Sequence, residues 1–267
     1  MASFLAGALL ALPLLAQDEA PPEPDPKDVE AALAQLEKAF GDGDSADRIR
    51  AIERGAEVEH ATVIAALAEG LSDDGRDVRI AAIGALRTMN HPAALAPLAE
   101  RAARVRAGKP GPEKAAGQTE ELAALLRAVG QHADPSTIDL FAAGALSNED
   151  AAVVRARVLS LGRIRTKQSV EALMALMRKA GRKDVQAHMG EFRLALVAAT
   201  GVDHGRSQDL WLGWWNDRKK EFEAPEKEPL MPRRDKQAWD AYWGVDRRYP
   251  RATKRADRGK DPERGGE

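Results

Sequence analysis

Residues 77–98, DVRIAAIGALRTMNHPAALAPL, hold the pattern that decides the fold. Val78, Ile80, Ile83, Leu86 and Met89 recur at helical spacing, Asn90 and His91 turn the chain, and Pro92 opens a second arm carrying Leu95 and Leu98. The same pattern returns downstream. Leu86, Met89, Pro92, Leu95 and Leu98 fall on Val129, His132, Pro135, Ile138 and Phe141 at an offset of 43, and Val129, Gly130 and Ile138 fall on Leu161, Gly162 and Val170 at an offset of 32. Upstream, the 32-residue offset carries Gly55 onto Arg87 and Val63 onto Leu95. A period of this size with helical spacing inside it means paired helices stacked side by side, because one pair cannot bury its own apolar face. The expected fold is all-α, a right-handed α-solenoid of about five helix pairs.

Working outward, Asp25 followed by Pro26 is a cap and first-turn signal for a leading helix with Val29, Leu33, Leu36 and Phe40, stopped by Gly41 and Gly43. Pairs then follow near 45–55 with 58–71, and at 77–89 with an arm from Pro92. AGKPGPEKAAG, residues 107–117, breaks the pattern with Pro and Gly and reads as a surface loop that accounts for the longer offset. The third pair uses Leu122, Leu125, Leu126 and Val129, then Asp134 and Pro135 as cap and first position of an arm with Ile138, Leu140 and Phe141. The fourth starts at Asn148, Glu149 and Asp150, and a fifth starts near Asp184 and returns through SQDLWLGWWNDRKKEF. The predicted organisation is a signal peptide at 1–16, an acidic Pro-rich spacer at 17–26, the solenoid at 27–222, a linker at 223–236, a short Trp/Tyr amphipathic segment at 237–243 and a disordered tail at 244–267.

The bulk numbers exclude several classes of function. Charged residues make up 31% of the chain at a net charge of only −2, without the basic excess of a general nucleic-acid binder. With no cysteine, thiolate nucleophiles, disulfides and sulfur-ligated metals are excluded. The apolar opening MASFLAGALLALPLLA has the length of a signal-peptide core rather than of a span of about 20 residues, so export to the periplasm or beyond is expected, with cleavage after Ala16. An uncleaved N-terminal anchor is the alternative.

The Asp77 and Arg79 pair, the small-residue-rich first arm and the Pro-started second arm resemble the HEAT repeat, and the short period is similar to the subgroup represented by phycobilisome lyases. The resemblance covers about residues 45–222 and extends to ATGVDHGRSQDLWLGWWND, which looks like the terminal unit of exported bacterial HEAT-repeat proteins. It implies a ladder in which Asp77 and Arg79 link adjacent repeats. The fourth unit carries Ala152 and Val154 at those places, so the ladder is incomplete.

Enzymatic readings find little support in the residues. His60, His91, His132, His188 and His204 occupy different places in the repeat, so no ligand set recurs on one face. HEAT-like deoxyhypusine hydroxylases hold iron through repeated His-Glu dipeptides; here Glu59 and His60 stand once, in reverse order. A shared fold does not transfer lyase chemistry, and no nucleophile elbow or phosphate-binding glycine loop is present. Gly130 and Gly162 read as sites of close helix packing, as does Gly55. No cofactor and no metal are expected.

All five tryptophans lie after residue 210. Trp211, Trp214 and Trp215 share one helix face and read as the apolar cover of the solenoid's last unit, with a sugar-stacking platform as the alternative. Trp239, Tyr242 and Trp243 repeat that spacing beyond the linker, either docking back on the solenoid or engaging a partner. Glu100, Asp139 and Glu171 lie on second arms and mark a groove for a protein partner. The function expected is a non-enzymatic protein-binding scaffold in the cell envelope, binding no nucleic acid. A HEAT-based enzyme and an envelope glycan binder are the rivals.

Overall fold

The computed structural model describes residues 23–108, 115–147 and 149–247. The expected signal peptide and most of the spacer, the centre of the 107–117 loop, Asn148 and the tail from 248 onward lie outside the described residues. Thirteen helices and no strand occur among the described residues. They are α1 (Pro26–Asp42), α2 (Ser45–Gly55), α3 (Ala61–Glu69), α4 (Arg76–Thr88), α5 (Leu95–Ala107), α6 (Ala115–Gln131), α7 (Ile138–Ala142), α8 (Ala151–Ile164), α9 (Lys167–Lys179), α10 (Arg182–Ala187), α11 (Met189–Thr200), α12 (Gln208–Arg218) and α13 (Arg233–Trp243).

Two layers run along the stack. The first arms α2, α4, α6, α8 and α11 pack each on the next, and the second arms α3, α5, α7, α9 and α12 return beside them. α1 covers the start of the stack by packing on α2 and α3. The core follows this arrangement. Leu36, Ile52, Leu67, Leu86, Leu126, Leu161 and Leu196, one or more from each successive unit, are fully buried in one continuous cluster, so each pair covers its neighbour's apolar face.

Each second arm begins on a side-chain cap. His60 Nδ1 accepts from Thr62 N at 3.3 Å, His91 Nδ1 from Ala93 N at 3.1 Å, Asp134 from Ser136 N at 2.8 Å, Thr166 from Ser169 N at 3.1 Å and Ser207 from Leu210 N at 3.4 Å. These bonds satisfy amide donors that the first helical turn leaves without a partner. Pro92 and Pro135 follow two of the caps, in the first position of short 3₁₀ turns that lead into α5 and α7, where the missing N–H costs nothing.

The first arms approach closely at two glycines. A Cβ on Gly130 would collide with the Ser160 hydroxyl and lie 2.6 Å from Ser160 Cβ, and one on Gly162 would lie 2.6 Å from Ala195 Cα. Gly55 sits against the softer side chains of Leu36 and Leu67.

Several expectations need correction. The third unit's second arm is cut to the five residues of α7, and none of the described residues between Ala142 and Ala151 is helical. The fifth unit opens with a separate short α10, and its first arm is α11. The Trp/Tyr segment is part of an eleven-residue helix that begins at Arg233, inside the expected linker. Residues 244–247 belong to its end rather than to a tail: Gly244 closes the helix in the left-handed conformation, and Arg247 pairs with Asp240 at 3.1 Å and Glu228 at 3.0 Å.

Candidate functional site

Three features stand out along the stack: buried Arg–carboxylate links, a gap in the second-arm layer, and the seat of α13.

The links differ from the expected ladder. Arg79 on α4 reaches α6, where its Nε meets Glu121 at 2.9 Å, and its Nη1 donates to the carbonyls of Asp73 and Asp74, each at 2.9 Å. Arg101 on α5 closes on the same carboxylate at 2.6 Å. Asp77 takes no part. Its side chain is 80% exposed and faces only its neighbour Arg76, at 3.8 Å. Arg48 pairs with Asp73 at 2.9 Å in the previous unit. At the start of the fourth, Glu149 receives both Arg106, at 3.1 Å, and the fully buried Arg157. These two guanidiniums also take the carbonyls freed by the short α7: Arg106 donates to Leu140 O and Ala143 O, and Arg157 to Phe141 O, Ala143 O and Ala145 O. Burial lowers the Arg106 pKa, with Arg157 adding to the effect and Glu149 opposing it. Glu121 and Arg157 were missed in the sequence, and Glu149 was read only as part of a helix start. No repeated spacing marks them, because each serves a local irregularity.

The gap lies between α5 and α7, which do not pack closely on each other as α7 and α9 do. Pro92, Leu95, Ala96, Ala99 and Ala103 on one side and Ser136, Thr137 and Leu140 on the other line a largely apolar groove of about 340 Å³. Glu100, Asp139 and Glu171 are exposed on α5, α7 and α9. None of the three lines the groove itself.

α13 lies across the first arms. Asp235 pairs with Arg193 of α11 at 2.8 Å, Arg163 of α8 stands 4.8 Å from the Trp243 ring, and the Tyr242 ring lies between Arg127 of α6 at 4.9 Å and Arg155 of α8 at 5.0 Å. Arg127 also donates to the Tyr242 carbonyl. Trp239 and Trp243 are buried and Tyr242 half-buried, so the aromatic face is turned to the solenoid and is not presented to a partner. That settles the open choice in favour of docking. Burial pushes the Tyr242 hydroxyl up to about 12 against the pull of Arg127, Arg155 and Arg87. Burial also lowers the Arg127 and Arg163 guanidinium pKa values, whereas the hydrogen bonds that Arg193 donates to Asp203 and Asp235 raise its own.

At the last unit Trp211 and Trp215 are buried and Trp214 is half-buried, in ring contact with His204, Trp211, Trp215 and Phe222. Four of the five tryptophans are therefore covered, and a flat sugar platform is not formed by them. No group of three or more His, Asp or Glu that could hold a metal ion occurs among the described residues. His60 and His91 are caps, and burial lowers the pKa of His132. No described helix is long and apolar enough to cross a membrane.

The sequence matches the family model for HEAT repeats over residues 29–107 and 115–191. The chain belongs to the HEAT-repeat family. No curated protein was found to match it. The two HEAT stretches stop on either side of the 108–114 insert and end within α11, so α12 and α13 stand outside the matched repeats. The groove between α5 and α7 lies where one HEAT stretch ends and the next has begun.

Proposed function

We propose that the protein is a non-enzymatic scaffold of the cell envelope that binds another protein through the second-arm groove between α5 and α7. The gap between these helices carries the reading. A solenoid whose neighbouring arms close on one another leaves no apolar cleft, and here the shortening of α7 opens one on the ordered edge of the stack. Its lining is small and aliphatic, which suits apolar side chains of a docked polypeptide. The exposed carboxylates of Glu100, Asp139 and Glu171 on the same layer favour a partner with basic residues around its apolar anchors. Export is supported by the uncharged apolar run from Phe4 to Leu15.

The test is site-specific photocrosslinking in the native envelope. A crosslinking residue at the exposed groove position Ala96 or Ala103 is expected to capture a discrete partner, and the same residue at exposed Glu53 on α2 is not. Loss of the capture from position 103 in an Ala96→Arg chain with unchanged helicity supports the groove. Equal capture at all positions refutes it.

A further inference from the structure

We propose that α13 is a detachable segment, and that the arginine-bearing face of the first arms beneath it accepts, in exchange, an amphipathic helix of a partner protein presenting paired aromatics flanked by carboxylates.

The seam between α13 and the stack is built as an interface between proteins is built. The α13 backbone makes no extensive close contact with another helix. Much of the seam is carried by long side chains, Tyr242 against Arg127 and Arg155 and Trp243 against Arg163, with Trp239 buried beside Trp243. Trp, Tyr and Arg are the residue types that concentrate binding energy at protein–protein interfaces. Trp239 and Trp243 also join the buried cluster of the first arms, with Val245 packed against it, so the seam combines an apolar seat with a cationic rim.

Polar satisfaction differs as well. Among the described residues six buried side-chain polar atoms lack a hydrogen-bond partner, and three of them belong to this seam: Arg127 Nε, Trp243 Nε1 and Arg165 Nη1. Arg165 lines the cleft of about 260 Å³ shared with Trp239 and Asp240. None of these three atoms is bonded by a protein group on either side, so the seam is not locked by a complete side-chain hydrogen-bond network. The connection to the stack is non-helical, with Met231 packed against the core and Glu228 paired to Lys236. Residues 223–232 form no helix, and Leu230 is 98% exposed.

The face left behind defines the competitor. Arg127, Arg155 and Arg163 stand on adjacent first arms, with Arg87 close enough to disfavour the charge on Arg127. Gly130 leaves room beneath Trp243, whose ring would lie 3.1 Å from an added Cβ. A cationic strip with a seat for an indole favours aromatic faces through cation–π attraction and carboxylates through charge. α13 supplies both, since Asp235 precedes Trp239 by one helical turn and Asp240 follows it. Release of α13 rests on the chemistry of this seam. Only the choice of a protein as competitor rests on the scaffold reading.

The experiment starts from the full chain with a protease site inserted between Glu226 and Lys227. After cleavage, the C-terminal piece is expected to dissociate on dilution while the remaining solenoid keeps its helicity and melts cooperatively. A labelled peptide of residues 228–247 should then bind the emptied solenoid at least tenfold more tightly than the uncut chain. Arg127→Ala/Arg163→Ala in the solenoid, or Trp239→Ala/Trp243→Ala in the peptide, should weaken that binding at least tenfold, and Ala96→Arg in the groove should not change it. A cleaved piece that stays bound at every dilution overturns the proposal. So does loss of cooperative melting on cleavage, or equal peptide binding by cut and uncut chains.

Discussion

Arg157, buried in the middle of α8, is ion-paired to Glu149 and holds the end of α7 by donating from Nε to the Phe141 carbonyl at 2.8 Å and from Nη2 to the Ala143 carbonyl at 2.6 Å. A five-residue helix cannot satisfy its own last carbonyls. The guanidinium fork does it from the neighbouring unit, and Glu149 neutralises the buried charge. Replacing Arg157 by Met should strand the Phe141 and Ala145 carbonyls and leave Glu149 with Arg106 alone, at a cost of about 3–5 kcal/mol. Arg157→Lys should recover little, because a single ammonium cannot span three carbonyls. Urea denaturation monitored by circular dichroism measures both.

Glu121 and Asp77 make opposite predictions. Glu121, 2% exposed, receives Arg79 and Arg101, so Glu121→Gln leaves two guanidiniums short of their counter-charge and should cost about 3 kcal/mol. Asp77→Asn should leave the denaturation midpoint unchanged, since that carboxylate is solvated and meets only Arg76. A large effect at Asp77 would restore the ladder that the repeat resemblance implies.

Gly130→Ala should destabilise the α6–α8 contact by about 1–3 kcal/mol, as expected for overpacking where no side chain can yield. The added methyl meets Ser160 Cβ at 2.6 Å. Gly130→Ala/Ser160→Gly removes that collision and should regain part of the loss in thermal melts.

The docked α13 carries an alkaline signature. Burial holds the Tyr242 hydroxyl in its neutral form, with a folded pKa raised from 10.0 to about 12. The released chain ionises first, so between about 10 and 12 it binds fewer protons than the docked one. Docking is therefore at full strength below about pH 10 and weakens as pH rises through that window. In a Tyr249→Phe chain the tyrosinate absorbance should titrate near 12, and Trp239→Ala/Trp243→Ala should return it toward 10.

What was legible in the sequence is what short-range physics governs. The recurrence of Leu86, Val129 and Leu161 fixed the helix pairs, and Pro92, Asp134 and Pro135 marked where second arms begin, because caps and first turns act within a few residues. Gly130 and Gly162 were readable as close approaches, since a missing side chain inside an apolar helix has few other uses. Tertiary structure alone decided that Arg79 meets Glu121 rather than joining Asp77 in a ladder, that α7 stops early and is finished by Arg157, and that Trp239 and Trp243 turn inward. Those pairings join residues 16 to 115 positions apart, through side chains whose reach depends on how neighbouring helices cross. Periodicity specifies which face of a helix is apolar. It carries no information on which charged or aromatic group will lie opposite once the helices are stacked.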